Sequence, residues 1–200
     1  MSQVAIIDSG GANIGSVENA LRRLGVNSLF TADPEAITRA DRVILPGVGA
    51  AASAMAHLQQ HRLVDCIRGL QQPVLGICLG MQLLFESSTE GDVECLGILP
   101  GRMERLPESA GIRIPHMGWN ATRQRRDDPL LRGLPDQPWF YFVHSYFAPI
   151  GAHTLATSEH GAEFSAIVQQ GNFRGAQFHP ERSADDGARL LQNFLEIPCN

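Results

Sequence analysis

Pro73-Val74-Leu75-Gly76-Ile77-Cys78-Leu79-Gly80-Met81-Gln82 is the stretch on which the reading of this chain turns. Pro73 to Ile77 is an unbroken run of strand length, the pattern of a strand buried on both faces. Cys78 breaks it, and a helix is expected from Leu79 to Phe85. A cysteine therefore sits at a tight strand-to-helix turn with a glycine two residues away on each side. Such a turn strains the backbone of its central residue, and its neighbours crowd each other, so both lack side chains. It lifts the sulfur above the sheet edge and places it at a helix N-terminus, where partial positive charge favours thiolate. The N–H of Leu79 then points to where an oxyanion would develop. The plainer reading is a buried cysteine in a glycine-rich turn.

Working outward, apolar strand patterns alternate with helical ones through the first half. Val4 to Ile7 is a buried strand, and Ile14, Val17, Leu21 and Leu24 mark a helix that Gly25 stops. Asn27 to Thr31 is a second strand, Pro34 to Thr38 a helical turn, and Val43 to Leu45 a third strand. Ser53 to Leu70 is expected as one helix. This alternation is that of an α/β fold, with a mostly parallel central sheet covered on both faces. The second half changes character. Trp139 to Phe147, His153 to Ser158, Phe164 to Gln169 and Phe173 to Phe178 are strand-like, and Ala184 to Leu195 is a closing helix. The later strands are expected to add an antiparallel part. Repeats, low-complexity tracts and linkers are missing, so residues 1–200 are expected to form a single domain.

A thiolate nucleophile needs a base. His179-Pro180-Glu181 follows the strand that ends at Phe178. Residues two apart in an extended segment face the same way, so Glu181 can take the second ring N–H of His179. Pro180 stiffens the spacing. Alone, His179 would be an ordinary histidine at a strand end. A second oxyanion donor would come from Pro46-Gly47-Val48-Gly49, which follows the third strand at the same sheet edge. By itself that is an ordinary glycine-containing loop.

Other patterns are set aside. Gly10 to Gly15 lacks the lysine of a phosphate loop and the glycine spacing of a dinucleotide fingerprint. His57 and His61, one helical turn apart, lack a third metal ligand, and no metal is expected. His144 lies in an aromatic strand as a core or pocket histidine. Arg123, Arg125 and Arg126 are followed at once by Asp127 and Asp128, which reads as a solvated loop. With a formal net charge of -5, nucleic acid is not an expected ligand. The apolar runs are too short to cross a membrane. No signal segment is read at the N-terminus, so the four cysteines are expected reduced, in a cytoplasmic protein.

Taken together, Pro46-Gly47-Val48-Gly49, Gly76 to Gln82 and His179-Pro180-Glu181 resemble class I glutamine amidotransferases. Pro115-His116-Met117-Gly118-Trp119-Asn120 and Tyr141-Phe142-Val143-His144-Ser145-Tyr146 closely resemble the glutaminase subunit of imidazole glycerol phosphate synthase. The resemblance implies a flavodoxin-like three-layer sandwich and a triad of Cys78, His179 and Glu181. Cys78 attacks the glutamine amide, a glutamyl thioester forms, and water releases glutamate. The resemblance further implies oxyanion donors at Val48 and Leu79, and glutamine contacts at Gly49, Gln82, Ser145 and Tyr146. Pro115, His116, Met117, Gly118, Trp119 and Asn120 would face a (β/α)8-barrel cyclase, which receives the ammonia. No cofactor is implied. Asp8-Ser9-Gly10-Gly11-Ala12-Asn13 departs from the family's Asp-Tyr-Gly with a following Gly-Asn, and that loop is expected to bear on partner contacts. Two rival readings keep most of these residues: an anthranilate- or aminodeoxychorismate-type glutaminase, which usually has His at the place of Met81, and a catalytically silent regulatory subunit. A cysteine protease or chaperone of similar architecture would lack the His-Pro-Glu segment.

Overall fold

The structure, a computed structural model, describes residues 3–11, 14–108 and 111–199. Ala12 and Asn13 of the first loop lie outside the described residues. The first half runs β1 (Val4–Ile7), α1 (Ile14–Arg23), β2 (Ser28–Thr31), α2 (Pro34–Arg39), β3 (Arg42–Leu45), α3 (Ala51–Gln60), α4 (Leu63–Arg68), β4 (Val74–Ile77) and α5 (Leu79–Gln82). The second half runs β5 (Phe85–Ser88), β6 (Val93–Glu94), β7 (Leu99–Arg105), β8 (His116–Ala121), β9 (Arg123–Gln124), β10 (Trp139–His144), β11 (Tyr146–Phe147), β12 (Thr154–Glu159), β13 (Glu163–Gln170), β14 (Phe173–Ala176) and α6 (Ala184–Glu196).

The main sheet has the order β2-β1-β3-β4-β14-β13-β12-β9. Its first five strands pair in parallel and the last three are antiparallel. β1, β3 and β4 are buried on both faces, which is why each reads as an apolar run and not as an alternation. Successive residues still go to opposite sides. Val4, Ile6, Ile44, Leu75 and Ile77 face α1, α6 and the aromatic side chains of β10. Ala5, Ile7, Val43, Leu45 and Val74 face α2, α3, α4 and the small sheet β11-β7-β5-β6. The result is the three-layer sandwich expected, with an antiparallel extension.

Several elements differ from the sequence expectation. The helix expected over Ser53 to Leu70 is two helices, broken at Arg62, which adopts a left-handed φ of 57°. The helix expected from Leu79 to Phe85 lasts a single turn. It ends because the backbone of Leu83, Leu84 and Phe85 accepts hydrogen bonds from Leu96, Ile98, Leu99 and Gly97, so tertiary pairing overrides local propensity. The stretch from Trp139 to Phe147 is two strands in different sheets, β10 with β8 and β11 with β7. Asp128 is no solvated loop residue. Its side chain is buried, accepts two hydrogen bonds from Arg174 of β14 at 2.8 and 3.0 Å, and caps the 3-10 turn at Leu130. The fork geometry satisfies both charges, which is what burial of such a pair requires.

The turn at Cys78 rests on two glycines for different reasons. A Cβ on Gly76 would lie 2.7 Å from the Gly80 carbonyl oxygen and the Met81 nitrogen. A Cβ on Gly80 would lie 1.7 Å from the carbonyl oxygen of Leu45, in β3. Gly80 thus lets α5 press against the neighbouring strand, and only Gly76 answers to crowding across the turn itself. Gly80→Ala should cost at least about 3 kcal/mol, the upper range for overpacking, because a sheet carbonyl cannot move aside. Gly97→Ala, with a positive φ of 63° but open space around it, should cost only about 1–2 kcal/mol. Urea unfolding of both variants checks the difference, and equal losses would show that the contact with Leu45 does not govern the turn.

Candidate active site

Cys78 follows β4 with φ 52° and ψ -111°, a conformation L-residues rarely adopt. Its N–H donates to the Ala176 carbonyl of β14, and its own carbonyl accepts from Gln82. These bonds hold the strained residue at both ends. Leu79 opens α5, so its N–H has no acceptor within the helix. The thiol lies 3.6 Å from the Val143 carbonyl oxygen, and the Gln177 side-chain amide donates to the sulfur at 3.9 Å.

His179 emerges just beyond β14, the strand next to β4, so both residues reach the same sheet edge. Its main chain is pinned: its N–H donates to Tyr141, its carbonyl accepts from the Ser183 hydroxyl, and that hydroxyl accepts from the Tyr141 N–H. Phe178 beside it stacks on Phe140, ring centres 3.7 Å apart. The His179 Nδ1–Glu181 Oε1 distance is 2.9 Å, and both side chains are buried. Pro180 to Arg182 form a 3-10 turn, and this turn, not a continued strand, brings Glu181 back to the ring. Burial pushes the imidazole pKa down. Hydrogen bonds with Cys78 and Glu181, and the charges of both, outweigh it and raise the value to about 10. The imidazolium form of His179 is therefore favoured.

A cavity of about 340 Å³ opens on these groups. Its wall includes Val48, Gly49, Cys78, Leu79, Gln82, Ser145, Tyr146 and His179. Gly49 takes φ 98°, a value that suits glycine. Glu181 lies behind His179, outside that wall. The cavity also touches Glu90 and Pro115. Glu90, through Oε2, caps α3 by accepting from the Ala51 N–H at 2.8 Å.

A family model for glutamine amidotransferase class-I matches residues 5–197. The chain belongs to this family. Similar proteins include imidazole glycerol phosphate synthase subunit HisH of Xanthomonas axonopodis pv. citri, 58% identical over 98% of each chain. The subunit of the same name from Xylella fastidiosa (strain Temecula1) is 56% identical, again over 98% of each chain. Among solved structures, the crystal structure of a glutamine amidotransferase superposes with TM-score 0.74 at 22% identity, covering 96% of this chain and 97% of that one. A glutamine amidotransferase from Thermotoga maritima superposes with TM-score 0.65 at 20% identity, covering 98% of this chain and 83% of that one. These two speak to the flavodoxin-like fold alone.

Seen as a class I amidotransferase, the chain also holds residues that sequence reasoning passed over. Gln177 is fully buried, donates to Cys78 and accepts from the Gln82 amide at 3.2 Å. It stands two residues before His179, so the same period-two argument used for Glu181 points to it. Glu90 had no comparable signal, because it lies in an irregular loop after β5. The segment Pro115 to Asn120 divides. Met117 and Trp119 are 63% and 49% exposed on the outer face of β8, whereas His116 is buried and Pro115 reaches the cavity. Alternation along the strand puts His116 on the inner face. Across the ribbon, Trp119 pairs with Tyr141 and Ala121 with the exposed Trp139. The rings of His57 and His61 lie 4.4 Å apart at a tilt of 35°, and His57 lies 3.5 Å from Asp8. Among the described residues no group of three or more His, Cys, Asp or Glu side chains could hold a metal ion, and no helix is long and apolar enough to cross a membrane.

The raised value of His179 has a signed consequence. Its folded pKa lies above the ordinary 6.5, so its stabilisation is complete below about pH 6.5 and is lost as pH rises toward about 10. Glu181→Gln removes one of the groups that hold this proton. The imidazole pKa should fall toward 6.5 in an NMR titration, and the loss of urea resistance between about pH 6.5 and 10 should shrink. A ring that titrates unchanged in the variant would detach Glu181 from His179.

Proposed function

We propose that this chain is the glutaminase subunit of an imidazole glycerol phosphate synthase, hydrolysing glutamine to glutamate and ammonia with Cys78, His179 and Glu181 as its triad. The observation that carries the chemistry is the meeting of Cys78 and His179 on one cavity with Glu181 bonded to the far side of the ring. The near-full-length likeness to HisH subunits supports the pathway. The chain acts as a single domain, residues 1–200, and its four free cysteines fit a reducing cytoplasm.

The His179 imidazolium favours thiolate on Cys78, which attacks the amide carbon of glutamine. The N–H groups of Val48 and Leu79 receive the oxyanion. His179 gives its proton to the departing ammonia, and a glutamyl thioester remains. The now neutral imidazole takes a proton from water, which attacks the thioester and frees glutamate. Glu181 holds the ring and its positive charge without changing its own protonation. Gly49, Gln82, Ser145 and Tyr146 hold the substrate. Both hydrogens of the Gln82 amide are used, toward Tyr146 and Gln177, so its Oε1 is the atom left to accept. Together with the Glu90 carboxylate it suits the α-ammonium of glutamine.

Ammonia is passed to a (β/α)8-barrel cyclase, which uses it to build imidazole glycerol phosphate and aminoimidazole carboxamide ribotide in histidine synthesis. The cyclase docks on the segment Pro115 to Asn120. Met117, Trp119 and Trp139 offer the kind of exposed apolar cluster that anchors an interface.

Cys78→Ala should abolish glutamine hydrolysis, a loss of at least about a thousandfold, while the far-UV spectrum and cyclase pull-down persist. Retained hydrolysis would remove Cys78 from the reaction, and a wild-type chain inert with cyclase and its ligand present would favour a silent regulatory subunit. Trp119→Asp should weaken cyclase association by about 2 kcal/mol or more with glutamine-analogue labelling of Cys78 intact. Unchanged binding by calorimetry would place the interface elsewhere.

A further inference from the structure

Two buried histidines behind the cavity and a half-buried asparagine form a hydrogen-bond chain whose direction is fixed at both ends. The first end is the Tyr146 carbonyl oxygen, 2.8 Å from His144 Nδ1. A carbonyl only accepts, so His144 carries its proton on Nδ1. His144 Nε2 lies 3.0 Å from His116 Nδ1, and His116 Nε2 lies 3.3 Å from Asn120 Nδ2. The second end is the Asn120 amide. Its nitrogen donates to the Glu159 carbonyl at 2.9 Å and its oxygen accepts the Ala121 N–H at 2.9 Å, which fixes which atom is which. Asn120 therefore donates to His116 Nε2, and His116 donates from Nδ1 to His144 Nε2. Every donor meets an acceptor only if both rings are neutral with the proton on Nδ1. A proton added to either ring sets two N–H groups face to face.

The surroundings hold the rings in that state. His116 is sandwiched between Phe142 and His160, with ring centres at 4.9 and 4.1 Å. Phe164 packs edge-on against both histidines. Burial, with the charge of His160, pushes His116 down to about 4. Burial pushes His144 down to about 3, against the lifting bond to Tyr146 and with the charges of His116, His160 and His179.

The Tyr146 carbonyl is shared. It accepts from His144 and also from the Gln82 amide at 3.2 Å. It thereby orients Gln82, which in turn meets Gln177 and through it the sulfur of Cys78. We propose that His144 and His116 are positioning residues of the glutamine site, a neutral one-way chain by which strand β8 sets the place of the Tyr146 carbonyl and so the amide of Gln82. His116 and Asn120 lie on the inner face of the same strand that shows Met117 and Trp119 outward. The inference rests on the reading of this cavity as the glutamine site.

Two measurements on the full chain test it. Nitrogen-15 correlation spectra of the imidazoles at pH 7 should show His116 and His144 both neutral with the proton on Nδ1. A proton on Nε2 of either ring, or a charged ring, overturns the chain whatever the cavity binds. The second measurement is covalent labelling of Cys78 by a diazoketone analogue of glutamine. His116→Phe and His144→Leu should raise the half-saturating concentration about tenfold, the loss of an oriented buried bond. The limiting labelling rate should stay within about twofold. His144→Asn, whose amide nitrogen overlays Nδ1, should bring half-saturation back to within about threefold of wild type. A fall in the limiting rate with half-saturation unchanged, or an Asn variant no better than Leu, overturns the positioning role. If His144→Leu does not fold by circular dichroism, His116→Phe and the wild-type spectra decide. A wild-type chain that the analogue never labels sinks the glutaminase reading instead, and the spectra still judge the hydrogen-bond chain.

Discussion

The close approach of Gly80 to the Leu45 carbonyl is the constraint on which the site depends. Because α5 presses directly on β3, the chain must turn sharply between β4 and α5, and Cys78 is left with φ 52°. Such a conformation costs about 1–3 kcal/mol. It persists because the residue is held at both ends, by Ala176 before it and Gln82 after it. The same bond to Ala176 ties the cysteine to β14, the strand that carries His179. Nucleophile and base are therefore placed by adjacent parallel strands of one sheet, and their separation is set by sheet geometry more than by side-chain choice.

Parallel pairing also explains which parts of the molecule were legible. Buried parallel strands leave short apolar runs, and β1, β3 and β4 were found from them. The elbow and His179-Pro180-Glu181 were found because each packs its chemistry into a few consecutive residues. Of the small sheet β11-β7-β5-β6, only β11 falls in a stretch that reads as strand. Phe85 follows a helix-like run without a break signal, and β7 begins Leu99-Pro100-Gly101, where turn residues mask a strand. What ends α5 is a set of bonds from Leu96 to Leu99, distant in no sequence pattern and visible only once the chain has folded back. Arg62 likewise carries no sign of its left-handed turn. Asp128 looked solvated because its partner, Arg174, lies 46 residues away.

The six-residue segment from Pro115 shows the limit of a motif taken as a block. The resemblance marked all of it for a partner, but a strand has two faces. Met117 and Trp119 go out, His116 and Asn120 go in, and Pro115 reaches the cavity. A segment that serves the surface and the interior at once needs a particular sequence for two separate reasons. Its outer residues answer to a second molecule and its inner ones to the wall of the cavity.

That division bears on how electrostatics are arranged around the cysteine. Three histidines lie near one cavity and are driven in opposite directions. His179 has a carboxylate and a thiol beside it and is held above its ordinary range, whereas His116 and His144 have aromatic rings and each other and are held far below it. The charge of His179 itself contributes to keeping His144 neutral. A second imidazolium close to the first would compete for the same anions and weaken the pairing with Cys78. Neutral rings avoid that competition and still supply N–H groups of fixed direction. The environment thus separates one residue type into a proton carrier and two oriented dipoles, and the separation follows from which side chains pack against each ring.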